Sequence, residues 1–247
     1  MLLFFLGGCA DFFALRDAFE ELTNPLVVQS WYVGVEPLPE GVDLGESTWA
    51  SGSTARVLMA DAENLSDLAS APVEDATVAL VGPDGAVPLR DAGAGTWAAD
   101  GTDGLGWVPG DDAALDIQRD GAHTLSLTTP DAPEVQLPEL FFAAQPLSVD
   151  LTGQGYDNVL VTVIRLEDGV TVYDSTPTDI QALYRLTHSA GSLRATVPPA
   201  AFSRPGLYAV GVAGLTNADP DEFEGVNLAL SALTAGALQF ELLTVSP

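Results

Sequence analysis

Few side chains in this sequence are of the kinds that carry out catalysis. There are two histidines, His123 and His188, and a single cysteine, Cys9, among 247 residues. Each histidine lies in an alternating apolar and polar segment, a pattern typical of a surface or edge position on a strand rather than of a general base. The sequence has no G-x-S-x-G elbow and no H-E-x-x-H motif, and without lysine it cannot form a P-loop. We therefore predict that the protein is not an enzyme.

Carboxylates are abundant, with 35 Asp and Glu residues, and their oxygens could bind a hard cation. Ca²⁺ takes several oxygen ligands at about 2.3 to 2.6 Å, which acidic loops between strands can supply. Two stretches have this composition, 100–112 and 217–224, and neither matches the EF-hand loop. A solvated acidic loop is the simpler interpretation of both. If calcium binds, the first candidates are Asp219, Asp221 and Glu224, and no other cofactor is predicted.

The net charge of −27 excludes several classes of partner. All eight basic residues are arginines, and a surface so acidic repels the phosphates of nucleic acids and the headgroups of anionic lipids. We expect no nucleic-acid binding. Cations, basic partners or a salty medium are the compatible surroundings.

The first ten residues, MLLFFLGGCA, place the only cysteine directly after a short apolar run. Leu6, Gly7, Gly8 and Cys9 resemble the lipobox of bacterial lipoproteins. That resemblance implies a diacylglyceryl group on the sulfur of Cys9 and cleavage that removes residues 1–8 as a signal peptide remnant. No basic residue precedes the apolar run, so we expect the natural signal to begin upstream of Met1. The alternative is a buried N-terminal strand with a core cysteine.

A lipidated Cys9 implies attachment to the cell envelope, because two or three acyl chains hold a protein firmly on a membrane. By analogy with a sorting rule of some Gram-negative bacteria, Ala10 after the cysteine permits export to the outer membrane. We therefore expect an envelope lipoprotein that faces the periplasm or the exterior, with palmitate or a related acyl chain as its anchor.

The segment 9–53 is predicted to hold the lipidated N-terminus, a short helix and a linker. Phe12, Leu15, Phe19 and Leu22 lie at helical spacing within 11–24, and Asn24-Pro25 would end that helix. The following LVVQSWYVGV is predicted as a strand.

Period-two alternation separated by Gly, Asp and Pro turns dominates the rest of the chain. It predicts an all-β fold of two immunoglobulin-like antiparallel β-sandwich domains, 54–135 and 145–247, joined by a proline-marked junction at 136–144. Hairpins are predicted at Pro83-Asp84-Gly85, Asp120-Gly121 and Glu167-Asp168-Gly169. The predicted strands of the second domain include 180–187 and 226–233. The stretch PGLYAVGVAGL resembles the penultimate strand of immunoglobulin-like modules.

Together these patterns predict a lipid-anchored cell-envelope protein with a non-catalytic binding or structural role. Its predicted partner is an envelope protein or glycan. Two other functions remain open: an exported hydrolase that uses carboxylates in a cleft, and a calcium-dependent adhesion module. The fold class alone hosts many functions and specifies none.

Overall fold

The computed structural model describes residues 24–45, 47–188, 193–218, 223 and 225–247. Most of this chain is extended, as alternating apolar positions and closely spaced turns require. The strands of the first half are β1 Leu26–Val35, β2 Ser53–Asp61, β3 Thr77–Gly82, β4 Gly85–Pro88, β5 Arg90–Gly93, β6 Thr96–Asp100, β7 Asp112–Gln118 and β8 Ala122–Thr128. The second half contains β9 Phe141–Phe142, β10 Leu147–Asp150, β11 Asn158–Arg165, β12 Val170–Asp174, the helix α1 Ile180–His188, β13 Arg194–Val197, β14 Gly206–Asn217 and β15 Ala232–Ser246. Short 3₁₀ turns lie at Thr48–Ser51, Gly101–Asp103 and Pro199–Phe202.

One large sheet runs through both halves in the order β12-β11-β14-β15-β1-β2-β6-β5, with β9 added beside β15. Its longest strand is β15, which pairs antiparallel with β14 over twelve residue pairs and parallel with β1 over seven. The predicted strand 26–35 is confirmed as β1, which lies at the centre of this sheet between β15 and β2.

Two smaller sheets cover one face of the large sheet and form two sandwich cores. The four-stranded sheet β4-β3-β7-β8 packs on β1, β2, β6 and the start of β15, with Tyr32, Ile117 and Trp97 among the buried side chains. The pair β10-β13 packs on β11, β14 and the end of β15. Successive side chains of a strand alternate between faces, so Leu233 reaches the first core and Leu243 the second from the same face of β15. The predicted all-β sandwich class is confirmed.

The opposite face of the large sheet is also covered. Trp31, Ile164 and Phe240 point to this side, where they pack under α1 and under the loops that contain Trp49 and Leu68. Since both faces are buried along β1, its burial is nearly continuous rather than alternating.

The second sandwich has a feature common in immunoglobulin-like folds. Tyr208 lies at the start of β14 and is fully buried, and its hydroxyl donates a hydrogen bond to the carbonyl oxygen of Arg204 at 2.7 Å. This is the tyrosine corner of such sandwiches, where a tyrosine ties the penultimate strand to the preceding turn.

Two predicted strands of the second half are wrong. Residues 180–187 form α1, because Asp179 caps the helix by accepting a hydrogen bond from the Ala182 amide and Ile180 and Leu183 bury one helical face. Most of 226–233 is a turn that precedes β15, where the Asn227 side-chain oxygen accepts a hydrogen bond from the Leu230 amide. The predicted helix at 11–24 falls almost wholly outside the described residues.

Candidate functional site

The residues predicted for lipidation and for calcium, Cys9, Asp219, Asp221 and Glu224, lie outside the part of the chain that the structure describes. Both assignments therefore stay predictions. Among the described residues, no three His, Cys, Asp or Glu side chains converge to form a metal site.

The acidic loop 100–112 uses its carboxylates to build its own turn. The Asp100 carboxylate accepts hydrogen bonds from the amide and hydroxyl of Thr102 at 2.8 and 2.5 Å, and the Thr102 hydroxyl bond is the main reason that the pKa of Asp100 is lowered. Asp103 accepts a bond from the Asp100 amide at 3.0 Å and from the Arg90 guanidinium at 2.7 Å. Asp100 Oδ1 and Asp103 Oδ2 are thus bound within the protein itself, Asp103 Oδ2 in part by the Arg90 cation.

The two histidines lie at separate places in the fold. His123 lies in β8, as predicted, and its ring packs against Gly225, where an added Cβ would meet Nδ1 at 2.4 Å. His188 ends α1 rather than lying within a strand, which corrects the prediction. It stacks on Tyr184 with ring centroids 4.1 Å apart, and burial lowers its pKa.

An arginine clamp joins three segments of the first sandwich. Arg119, in the β7–β8 turn, donates from Nη1 and Nη2 to the two carboxylate oxygens of Asp61, both at 2.6 Å, and from Nε to Asp75 at 3.1 Å. The hydrogen bond from Arg119 lowers the pKa of Asp61, and the bond to Asp61 in turn raises the pKa of Arg119. Asp61 and Arg119 line a cavity of about 550 Å³, and His123 and Gly225 also lie in its wall.

The indole of Trp107 closes one end of the first sandwich. It meets the Tyr32 ring edge-on at a centroid distance of 4.7 Å, and the Tyr32 hydroxyl donates to the carbonyl oxygen of Gly106. Burial, followed by the negative charge of Asp84, raises the pKa of Tyr32 to about 12. Tyr32 is therefore a neutral hydrogen-bond donor at physiological pH.

A cleft of about 790 Å³ lies between β8 and the end of β14, and we call it the β8 cleft. Its size is that of ordinary ligand sites, which span about 300 to 1,000 Å³. Small and polar side chains line it rather than aromatic ones. The lining residues are Val81, Asp112, Ala113, Ala114, Ser126, Leu127, Thr128, Thr129, Pro130, Thr216, Asn217 and Ala218.

Two threonine–aspartate pairs mark the outer face of β7 and β8 beside the cleft. The Thr128 hydroxyl donates to Asp112 at 3.2 Å, and the Thr124 hydroxyl donates to Asp116 at 2.8 Å. These bonds hold both carboxylates toward β8, the last described strand of its sheet. A carboxylate accepts several hydrogen bonds, so each one keeps capacity for a further donor.

Sequence reasoning missed the β8 cleft. Its residues are separated by up to 137 positions, from Val81 to Ala218, and their types are those of any polar strand. The alternation of AHTLSLT was the only available signal, since it placed Thr124, Ser126 and Thr128 on one face.

No protein-family model matches the chain, and no curated protein matches it. Solved structures with a partial likeness include a two fibronectin type-III domain segment of chicken tenascin, at 10% identity and a TM-score of 0.29. The alignment covers 77% of this chain and 91% of the tenascin segment.

Two longer proteins show a similar degree of likeness. The 47-kilodalton lipoprotein Tp47 of Treponema pallidum is 13% identical with a TM-score of 0.31, over 87% of this chain and 51% of that one. The chicken CNTN1 FN1–FN3 domains are 9% identical with a TM-score of 0.21, over 78% of this chain and 62% of that one. The match thus spans about half to three fifths of these two proteins.

In the described residues, no helix is both long and apolar enough to cross a membrane.

Proposed function

We propose that this protein is a lipid-anchored component of the cell envelope with a non-catalytic binding or structural role. The Leu6-Gly7-Gly8-Cys9 sequence supports the anchor, and the two packed sandwich cores support the role as a scaffold. Its partner would be an envelope protein or glycan, and it would be located in the outer membrane.

The observation that carries the non-catalytic role is that three carboxylates are bound by neighbouring side chains of the sandwich. Asp61 is bound by Arg119, Asp168 by Arg165 at 2.6 Å and Asp100 by Thr102, and in each case that partner is the main cause of a lowered pKa. These carboxylates fasten turns and strand ends to the sandwich. A catalytic pair would instead need two carboxyl groups whose environments push their pKa values apart.

The anchor is tested by metabolic labelling with palmitate, with the gene expressed from its own locus so that the natural N-terminus is made. We expect label on the wild-type protein and none on Cys9→Ala. Ser66→Ala, a change in an exposed loop, is the matched control and should keep the label. Equal labelling of wild type and Cys9→Ala would overturn the proposal.

Localisation is read in the same cells by separating the membranes. We expect the wild-type protein in the outer-membrane fraction and Cys9→Ala absent from that fraction, because the variant has no acyl chains to hold it there. Recovery of Cys9→Ala in the outer membrane would show that another element attaches the protein.

A further inference from the structure

Among the edge strands of the described residues, β8 is the longest, and no described strand pairs with its outer side. Proteins usually blunt edges with short strands, proline or bulges. The edge strand β4 has four residues and contains Pro88, while β5 and β12 are both paired across an irregular register. In contrast, β8 has seven residues in unbroken register with β7 and contains no proline.

The register determines which backbone groups of β8 face outward. The Thr129 amide donates to the Asp111 carbonyl oxygen, and the Arg119 amide donates to the Gly121 carbonyl oxygen. In an antiparallel pair the hydrogen-bonded positions alternate, so His123, Leu125 and Leu127 bond to β7. The N–H and C=O groups of Thr124, Ser126 and Thr128 therefore point away from β7, and all three residues are exposed.

We propose that β8 is a docking edge for an extended, basic peptide segment of a partner protein, which adds as a fifth strand to the sheet β4-β3-β7-β8. Strand addition supplies the missing hydrogen bonds from the main chain of the partner. The β8 cleft gives the incoming segment room alongside Ser126 and Thr128.

The charge near the edge determines the chemistry of the segment. Asp112 and Asp116 lie one strand in from the edge on the outer face, and their threonine partners hold them toward β8. A Lys or Arg on the added strand crosses Thr124 or Thr128 to reach them, whereas an acidic segment meets like charges that destabilise the pairing. The net charge of −27 also disfavours a second copy of this chain as the occupant.

Binding is measured with the full chain and three synthetic probes: a peptide of alternating Thr and Val with Lys at both ends, its counterpart with Glu at both ends, and the Lys peptide N-methylated at alternate residues. We expect the Lys peptide to bind about tenfold or more tightly than either of the others. Equal binding of the N-methylated peptide would overturn strand addition, and equal binding of the Glu peptide would overturn the basic assignment. Failure of the Lys peptide to bind would overturn the whole proposal.

Amide hydrogen exchange locates the contact. The Lys peptide should slow exchange at Thr124, Ser126 and Thr128, while Leu125 and Leu127, already bonded to β7, serve as internal references. Slowing elsewhere without change at these three amides would place the peptide at another site and overturn the proposal.

Substitution of Ser126 tests peptide binding independently of folding. Ser126→Pro removes an outward N–H without removing a bond to β7, and proline is tolerated on edge strands, so the variant should fold but lose the peptide. Ser126→Ala keeps the N–H and should bind as wild type does. If the wild-type chain forms dimers that Ser126→Pro abolishes, the occupant is a second copy and the partner assignment fails.

This inference deepens the proposed binding role and rests on it, but it does not depend on the lipid anchor. Loss of palmitate label without loss of peptide binding would remove the anchor alone, and the reverse result would remove the docking edge alone.

Discussion

The indole ring of Trp107 lies directly over Gly34, so close that a Cβ on Gly34 would stand 1.9 Å from the ring. Gly34 is in the central strand β1, and Trp107 is in the loop that follows β6. The glycine is therefore required by packing, because its Cα forms the surface on which the ring rests. This contact fixes the loop to the end of the first sandwich.

Gly34→Ala should destabilise the protein by about 1 to 3 kcal/mol, since the new methyl group forces Trp107 out of its position. Urea unfolding gives the free energy, and near-ultraviolet circular dichroism reports the tryptophan environment. Gly82→Ala is the matched control, because its Cβ would meet nothing closer than 3.9 Å. The effect of Gly34→Ala should shrink in a Trp107→Ala background, and an undiminished effect would contradict the packing explanation.

Tyr208→Phe should cost about 1 kcal/mol, because the buried hydroxyl that donates to the Arg204 carbonyl oxygen is lost while the ring stays in place. Thermal unfolding measures the change. Tyr173→Phe is the control, since its hydroxyl makes no hydrogen bond to a described residue, and it should leave the melting temperature nearly unchanged. A similar loss in both variants would mean that the tyrosine corner contributes nothing specific.

Arg119→Met should reduce stability at neutral pH by about 1 kcal/mol at most, because Asp61 is 43% exposed and solvent screens the pair. The pKa of Asp61 is lower in the folded protein than in the unfolded chain. Its contribution is therefore fully present above the unfolded pKa of about 4 and is lost as the pH falls through the folded value.

The free energy of unfolding should accordingly fall less steeply with acid in Arg119→Met than in wild type. Arg194→Met, which removes an exposed pair with Asp150, should change both stability and its acid dependence far less, since Thr152 is the main cause of the lowered pKa of Asp150. Parallel pH profiles for wild type and Arg119→Met would contradict the clamp.

Tyr32→Phe should flatten the alkaline pH dependence of stability. The pKa of Tyr32 is about 12 in the folded protein against about 10 in an unfolded chain. Its contribution is present below pH 10 and is lost as the pH rises from about 10 to 12, since the unfolded chain loses its proton first. Unfolding experiments between pH 8 and 11 test this, and an unchanged slope in Tyr32→Phe would show that Tyr32 does not titrate with folding.

Local sequence signals predicted the parts of the fold that depend on local chemistry. The hairpins at Pro83-Asp84-Gly85, Asp120-Gly121 and Glu167-Asp168-Gly169 are confirmed, because glycine, proline and aspartate favour the backbone conformations of turns. The strand predicted at 180–187 is wrong although the segment carries helix signals. Asp179 is a good cap, and Ile180, Leu183 and Leu186 have helical spacing, which decides the structure over the apparent alternation.

Local signals could not predict which distant segments pair with each other. The parallel pairing of β1 with β15 joins residues about 200 positions apart, and no turn or local pattern encodes it. The β8 cleft depends on the same kind of long-range contact, because Asn217 and Ala218 reach β8 only after β14 has crossed the sheet. The sequence shows that 122–128 is a strand, but only the sheet order shows that it is an edge.

The central position of β1 has a mechanical consequence. The strand begins two residues after Asn24 and is bonded along both flanks, antiparallel to β2 and parallel to β15. A force applied at Asn24 along the strand axis would load these two rows of hydrogen bonds in shear, so that many would have to break together rather than one at a time. A tether at the N-terminus would thus transmit tension into the centre of the large sheet, whereas the β8 edge belongs to a different sheet.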